Sequence, residues 1–484
     1  MQQAGNWFGT ATLYISFALA LFWTLSTLSQ VENLVPDHEV VYAANLLVHI
    51  PPNSTDDAYH VVSVELDGQS LLLNIDTSTG DSFIASGQCD TANPKSGCYA
   101  LDATFKTKEN TIIHHDQKFE ADLGVGRATG QHATLRANIS GLEVGNVTAA
   151  LIDEAMPGSF QNGSFAGILG LGMRTASSQW LQFQKLSFID TLITQGKLAK
   201  PLFSLRFPRL GDPNAMAGAF SIGEIEEEFM MIPTKYSDVV QFSSSPDNTD
   251  TLATAAWSVS LDGLRMNGVE FPVSPGRRRP DAKHVSVIDS GASHIYLPTA
   301  DFNAVVKKFE GKTEVRQSTS QGFTGDVAYF ECSIPQSLEL KVNGNWYLVD
   351  PLDMLASNSS YYAEDGTRMC RGGIGSREKP KLGDSLLGMP FLRSVFTIYE
   401  YMSADMISKT PRLGLLSLVD TRLAKGRVQT EELERLFTAQ SHNPWYRSIF
   451  SLPTIGTRTD TRRVEGSDRV KFTIQSSPPH AQTL

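Results

Sequence analysis

At 484 residues, 41% hydrophobic and 19% charged, the chain is too long for one ordinary core of about 100–200 residues and too apolar to be disordered or fibrous. Asp and Glu outnumber Lys and Arg, 52 to 41, and the net charge of -11 argues against nucleic acid, whose phosphates are bound by clustered cations.

The first feature along the chain is an apolar run, Leu13–Leu25, followed by the small residues Thr27-Leu-Ser29. Its length suits a signal-peptide core over residues 1–29, and it is short of the about 20 residues a membrane span needs. No Lys or Arg precedes it, so an uncleaved anchor is the alternative, and only then would the protein contact a membrane. Export, to the extracellular space or a vacuole, makes the four cysteines a disulfide expectation rather than a metal site, because no His follows them at zinc-binding spacing. Export also makes Asn53, Asn138, Asn146, Asn162 and Asn358 glycosylation acceptors.

From about residue 41 to 418 short β-rich stretches alternate with Gly, Asn, Asp and Pro, as in Tyr59–Gly68 and Trp257–Gly263, which predicts an all-β architecture. Apolar residues recur at helical spacing over Ser177–Gln195. Adjacent His114 and His115 fall on opposite faces of a strand and cannot share an ion; Glu224–Glu228 and Arg277–Arg279 read as solvated charge. Residues 419–484 are polar and locally basic, the pattern of a disordered tail with one short helix near Glu431–Gln440.

An internal repeat spans the β region. The apolar strand Leu71–Ile75 runs into Asp76-Thr77-Ser78, and Val285–Ile288 runs into Asp289-Ser290-Gly291. Each is followed at nearly equal distance by an apolar-apolar-Gly element, ending at Gly170 and at Gly388. Two homologous lobes are implied, 41–235 and 236–418, each offering one carboxylate at a tight turn. Hydroxyls of Thr77 and Ser290 can hold the two turns together. Carboxylates about 3 Å apart cannot both ionise cheaply, so they share a proton and titrate as a pair. Either triplet alone is an ordinary turn sequence; the pair in matched context is not.

With Phe165–Gly172, Pro201–Leu205, Gly218–Gly223, Leu387–Arg393 and Arg412–Leu416 added to the Asp motifs, the chain resembles the pepsin-like aspartic protease family over roughly residues 55 to 418. The resemblance implies a bilobal fold of two β-barrel-like lobes with a few short helices. It implies an endopeptidase, monomeric and without cofactor or metal, that holds an extended polypeptide in the inter-lobe cleft and cleaves it at acidic pH, Asp76 and Asp289 being catalytic. It further implies disulfides Cys89–Cys98 and Cys332–Cys370, and a flap hairpin over Ala121–Gly130, with Leu123, Gly124 and Gly126 at its tip.

Departures from the family pattern point to a weaker enzyme or an inactive binding protein. Ser78 stands where the family has Gly, and its Cβ is expected to displace the first turn. Leu123 and Phe83 replace a hydrogen-bonded Tyr–Trp pair, Ala166 and Met389 replace Asp, and the stretch between Ser29 and Tyr59 is shorter than the family's basic prosegment.

Overall fold

The computed structural model describes residues 42–45, 47–49 and 59–420, apart from 100, 102, 123–126, 157–159, 161–164, 210–215, 244–248, 250, 251, 255, 321, 322, 379, 381 and 402–408. The expected signal segment, the acceptors Asn53 and Asn162, the tail beyond 420, and flap residues Leu123, Gly124 and Gly126 lie outside the described residues. Among the described residues no helix is long and apolar enough to cross a membrane.

Two sheets repeat one strand plan. In the first, Gln69–Asp76 runs antiparallel to Tyr59–Leu66 on one side and parallel to Gly167–Gly170 on the other. Gly167–Gly170 is antiparallel to Phe83–Ala85, which runs parallel to Leu142–Ala155. In the second, Val285–Ile288 lies between antiparallel Ser258–Met266 and parallel Ser385–Leu387. Ser385–Leu387 is antiparallel to Ile295–Leu297, which runs parallel to Arg368–Ser376. The fold is therefore mostly β and bilobal, as the repeat requires.

The apolar-apolar-Gly elements have a packing reason. A Cβ on Gly170 would come within 2.4 Å of the Asp81 carbonyl oxygen, and one on Gly388 within 2.3 Å of those of Ala292 and His294. Only glycine lets these strands lie against the chain leaving each Asp turn. The central strands Gly167–Gly170 and Val285–Ile288 are buried throughout, as parallel strands covered on both faces are.

A third sheet of six strands takes members from both halves, in the order Tyr42–Asn45, Ala219–Ile222, Leu202–Arg206, Val395–Glu400, Arg412–Ser417, Lys235–Asp238. Above it Phe203 stacks on Tyr399 at 4.5 Å between ring centroids, and Trp257 meets Tyr401 edge-on at 4.9 Å. These rings are fully buried and weld the two lobes through apolar area rather than charge.

Several local expectations change. The helical pattern over Ser177–Gln195 is two short helices, Ser178–Phe183 and Phe188–Thr194, broken where Gln184 takes a left-handed φ of 55°. Ser177 and Ser187 cap them by accepting the N–H groups of Trp180 and Asp190. Arg278, read as solvated, is buried and donates to the carbonyls of Gly383, Ser243 and Pro380. Glu224, likewise read as exposed, is buried against Lys200 at 2.7 Å. Disulfide bonds join Cys89 to Cys98 and Cys332 to Cys370, each within one sheet's half of the chain. Asn146 is exposed within the strand Leu142–Ala155 with φ 60°, whereas the Asn138 side chain is half-buried and accepts the Gly141 N–H.

Candidate active site

The two Asp turns meet at the junction of the lobes and are tied by four reciprocal hydrogen bonds. The Thr77 hydroxyl donates to the Ile288 carbonyl at 2.9 Å and accepts the Ser290 N–H at 3.1 Å. The Ser290 hydroxyl donates to the Ile75 carbonyl at 2.8 Å and accepts the Thr77 N–H at 3.0 Å. Each hydroxyl is thus satisfied both as donor and as acceptor, in a region where an unmade bond costs about 1–3 kcal/mol. Replacing Thr77 by Val would orphan the Ile288 carbonyl and the Ser290 N–H together. The expected result is a loss of about 2–4 kcal/mol of stability, read as a lower denaturant midpoint. An unchanged midpoint would mean the lobes are held without this lattice.

The lattice brings the two carboxylates to one spot. A Cβ built on Gly291 would lie 2.7 Å from an Asp76 carboxylate oxygen and 3.2 Å from one of Asp289. Both groups therefore border the same small space, and a side chain at Gly291 would fill it. Asp289 is 8% exposed and Asp76 half-buried. Asp76 Oδ1 accepts the Ser78 N–H at 2.7 Å, the Ser78 hydroxyl at 2.8 Å and the Thr79 N–H at 3.2 Å. Asp289 Oδ1 accepts the Gly291 N–H at 2.9 Å.

Burial is the first cause of the raised pKa of both acids. For Asp289 the neighbouring Asp76 carboxylate adds to it, and together they push the group up to about 7. For Asp76 the Ser78 and Thr79 donors oppose the rise. A buried pair in which one member keeps its proton while the other is supplied with donors can both give and accept a proton near neutrality.

Ser78 does not take the left-handed backbone conformation that would demand glycine. Its Cβ leaves the turn in place, since the Ser78 N–H reaches Asp76 just as the Gly291 N–H reaches Asp289. Phe83 packs beneath the hairpin of Ile112–Asp122 and Arg127–Ile139, 5.8 Å from Phe119 and 6.3 Å from Phe160. Ala166 and Met389, which stand where the family pattern has Asp, are buried apolar residues.

Other supports carried no sequence signal. Thr79 acts through a main-chain N–H, which every residue but proline has. The Leu171 N–H donates to the Asp76 carbonyl at 2.8 Å, and its own carbonyl accepts Trp257 Nε1 at 2.9 Å. Trp257 directly precedes the strand Ser258–Met266, which repeats Tyr59–Leu66.

The family model for eukaryotic aspartyl proteases matches residues 59–409. An aspartic protease of Phaffia rhodozyma is 25% identical over 344 residues, 70% of this chain and 73% of that protein. Syncephapepsin of Syncephalastrum racemosum is 26% identical over 346 residues, covering 71% and 74%. Cathepsin E of Aquarana catesbeiana is 22% identical over 342 residues, covering 70% and 75%.

Proposed function

Because this chain belongs to the eukaryotic aspartyl protease family, we propose that it is an aspartic endopeptidase in which Asp76 and Asp289 hydrolyse an extended polypeptide held between the lobes. The observation that supports this most directly is the crossed Thr77–Ser290 lattice, which sets both carboxylates around the position of a Gly291 Cβ. The apolar run Leu13–Leu25 and the two disulfides support an exported enzyme.

In the first step the ionised carboxylate takes a proton from water as the water oxygen bonds to the peptide carbon. The protonated partner gives its proton to the carbonyl oxygen as the C=O π bond opens. The product is a neutral gem-diol, and the dyad still holds one proton, now on the other acid. On collapse that acid protonates the leaving nitrogen as the C–N bond breaks, a diol hydroxyl returns a proton to its partner, and the starting state is restored. A flap closing over the site would exclude water from these transfers, the role the family resemblance gives to the hairpin of Ala121–Gly130.

The test is hydrolysis of unfolded proteins by purified protein between about pH 3 and 6, a window set by the titration of such dyads. Wild type should cut and Asp76→Asn should not. Should wild type bind a statine-type mimic but cut nothing, the molecule is a peptide-binding relative instead.

A further inference from the structure

The two turns that carry the acids are related by the repeat but differ in one atom group. Position 78 bears a hydroxymethyl group where its counterpart, Gly291, has none. The hydroxyl is committed: it donates to Asp76 Oδ1 at 2.8 Å. The next residues differ as well. Thr79 turns its N–H onto the Asp76 carboxylate at 3.2 Å, whereas its counterpart Ala292 donates to the main-chain carbonyl of Asp289 at the same distance. Asp76 Oδ1 therefore collects three donors, and among the described residues Asp289 receives one main-chain N–H. Donors stabilise a carboxylate in its charged form far more than in its protonated form.

We propose that the Ser78 hydroxyl polarises the pair, fixing Asp76 as the carboxylate that stays ionised and activates water and leaving Asp289 as the acid that protonates the peptide carbonyl. Ser78 acts as a positioning residue, since it works through Asp76 and needs no contact with substrate. The same hydroxyl also acts on Asp289 in the sense that favours its charged form, but there burial and the Asp76 carboxylate outweigh it and hold Asp289 protonated, whereas at Asp76 the hydroxyl is joined by the Ser78 and Thr79 N–H groups.

The other charged or titratable groups facing the pair are few. Arg377, which follows the strand Arg368–Ser376, acts on Asp289 in the opposite sense to burial. Tyr399, from Val395–Glu400, faces Thr77 and Asp289, and burial pushes its phenol up, so it stays neutral throughout. Neither distinguishes Asp76 from Asp289 by a donated hydrogen bond of the kind Ser78 makes.

This inference rests on the peptidase reading, and the experiment separates the two. The pH profile of kcat/KM is measured for wild type, Ser78→Ala, Ser78→Gly and Ser78→Thr. Loss of the hydroxyl in the Ala and Gly variants should move the acid limb up by roughly one pH unit, the worth of one hydrogen bond to a charged group. The alkaline limb, which follows Asp289, should move less, and Ser78→Thr should keep the wild-type acid limb. An acid limb unmoved in both Ala and Gly, or moved equally in Thr, overturns the proposal. Glycine asks for no side-chain room at the turn, so at least one variant keeps the fold. If wild type shows no Asp76-dependent cleavage, the peptidase reading fails, and the proposal is then decided by difference infrared titration of the carboxyl bands. A pair whose titration is the same in wild type and Ser78→Ala would overturn it there as well.

Discussion

Asp289→Asn is expected to lose peptide hydrolysis by at least about 10²–10⁴-fold, the range that a positioned general acid supplies, and yet to unfold at higher denaturant than wild type at pH 7. Activity is lost because an amide cannot hold the shared proton. Stability rises because Asp289 is kept protonated up to about 7 by burial and by the Asp76 carboxylate. In the unfolded chain it would ionise near the ordinary carboxylate value of about 4. A raised folded-state pKa gives stability that is fully present below the unfolded value and is lost as pH rises through the folded one. Wild type therefore carries a penalty that grows between about pH 4 and 7, and the Asn variant does not. Midpoints measured at pH 4 and pH 7 decide the matter. A variant no more stable than wild type at pH 7 would contradict the buried, proton-sharing pair. The residue that makes the site reactive is also the one that strains it at neutral pH.

A second large effect runs the other way. His60 and His294 are 2% and 1% exposed, and burial, helped by the Arg393 guanidinium, lowers both to about 3. His60 stands edge-on to Phe207 at 5.0 Å, and His294 Nδ1 shares a hydrogen with the Ser293 hydroxyl at 2.8 Å. Both remain neutral in the fold. The unfolded chain begins to protonate them near 6.5, so their contribution is intact above that pH and is lost as pH falls toward 3. The loss is on the order of 3–4 kcal/mol for each by about pH 3.5. The paired His60→Gln, His294→Gln variant should lose less stability than wild type between pH 7 and pH 4, whatever its stability at pH 7. Equal losses would show that the imidazoles do protonate in place. Taken with the Asp289 effect, this sets a working range at mild rather than extreme acidity.

What could be read beforehand follows from what kind of information a residue carries. The dyad was legible because a buried strand ending in Asp must be apolar and because glycine alone fits where Gly170 and Gly388 pass the Asp turns; both demands act on residue type at fixed spacing. The burial of Arg278 and Glu224 was not legible. A charged triplet or quartet looks solvated until a partner is known, and here the partners are carbonyls and a lysine far along the chain, from Ser243 to Pro380 and at Lys200. The expected distortion at Ser78 did not arise because a missing glycine matters only where its backbone conformation or its space is used. At Gly291 the space is used and at Ser78 it is occupied by a hydrogen bond. Likewise Gln184, unremarkable in an apolar periodic stretch, ends one helix by a single left-handed residue.

The six-stranded sheet bears on how the chain is made. Leu202–Arg206 pairs early with Ala219–Ile222 but finds its second neighbour only in Val395–Glu400, with Leu202 opposite Glu400. Lys235–Asp238 likewise waits for Arg412–Ser417. On a ribosome adding about 5–20 residues per second, the first strand stays one-sided for tens of seconds after it emerges. During that interval Phe203 and Leu205, buried in the finished fold, sit on an open strand edge able to pair with another nascent chain. The duplicated lobes thus resemble independent units in plan while remaining one unit in synthesis, and a chain truncated before Val395 would leave the Leu202–Arg206 edge open.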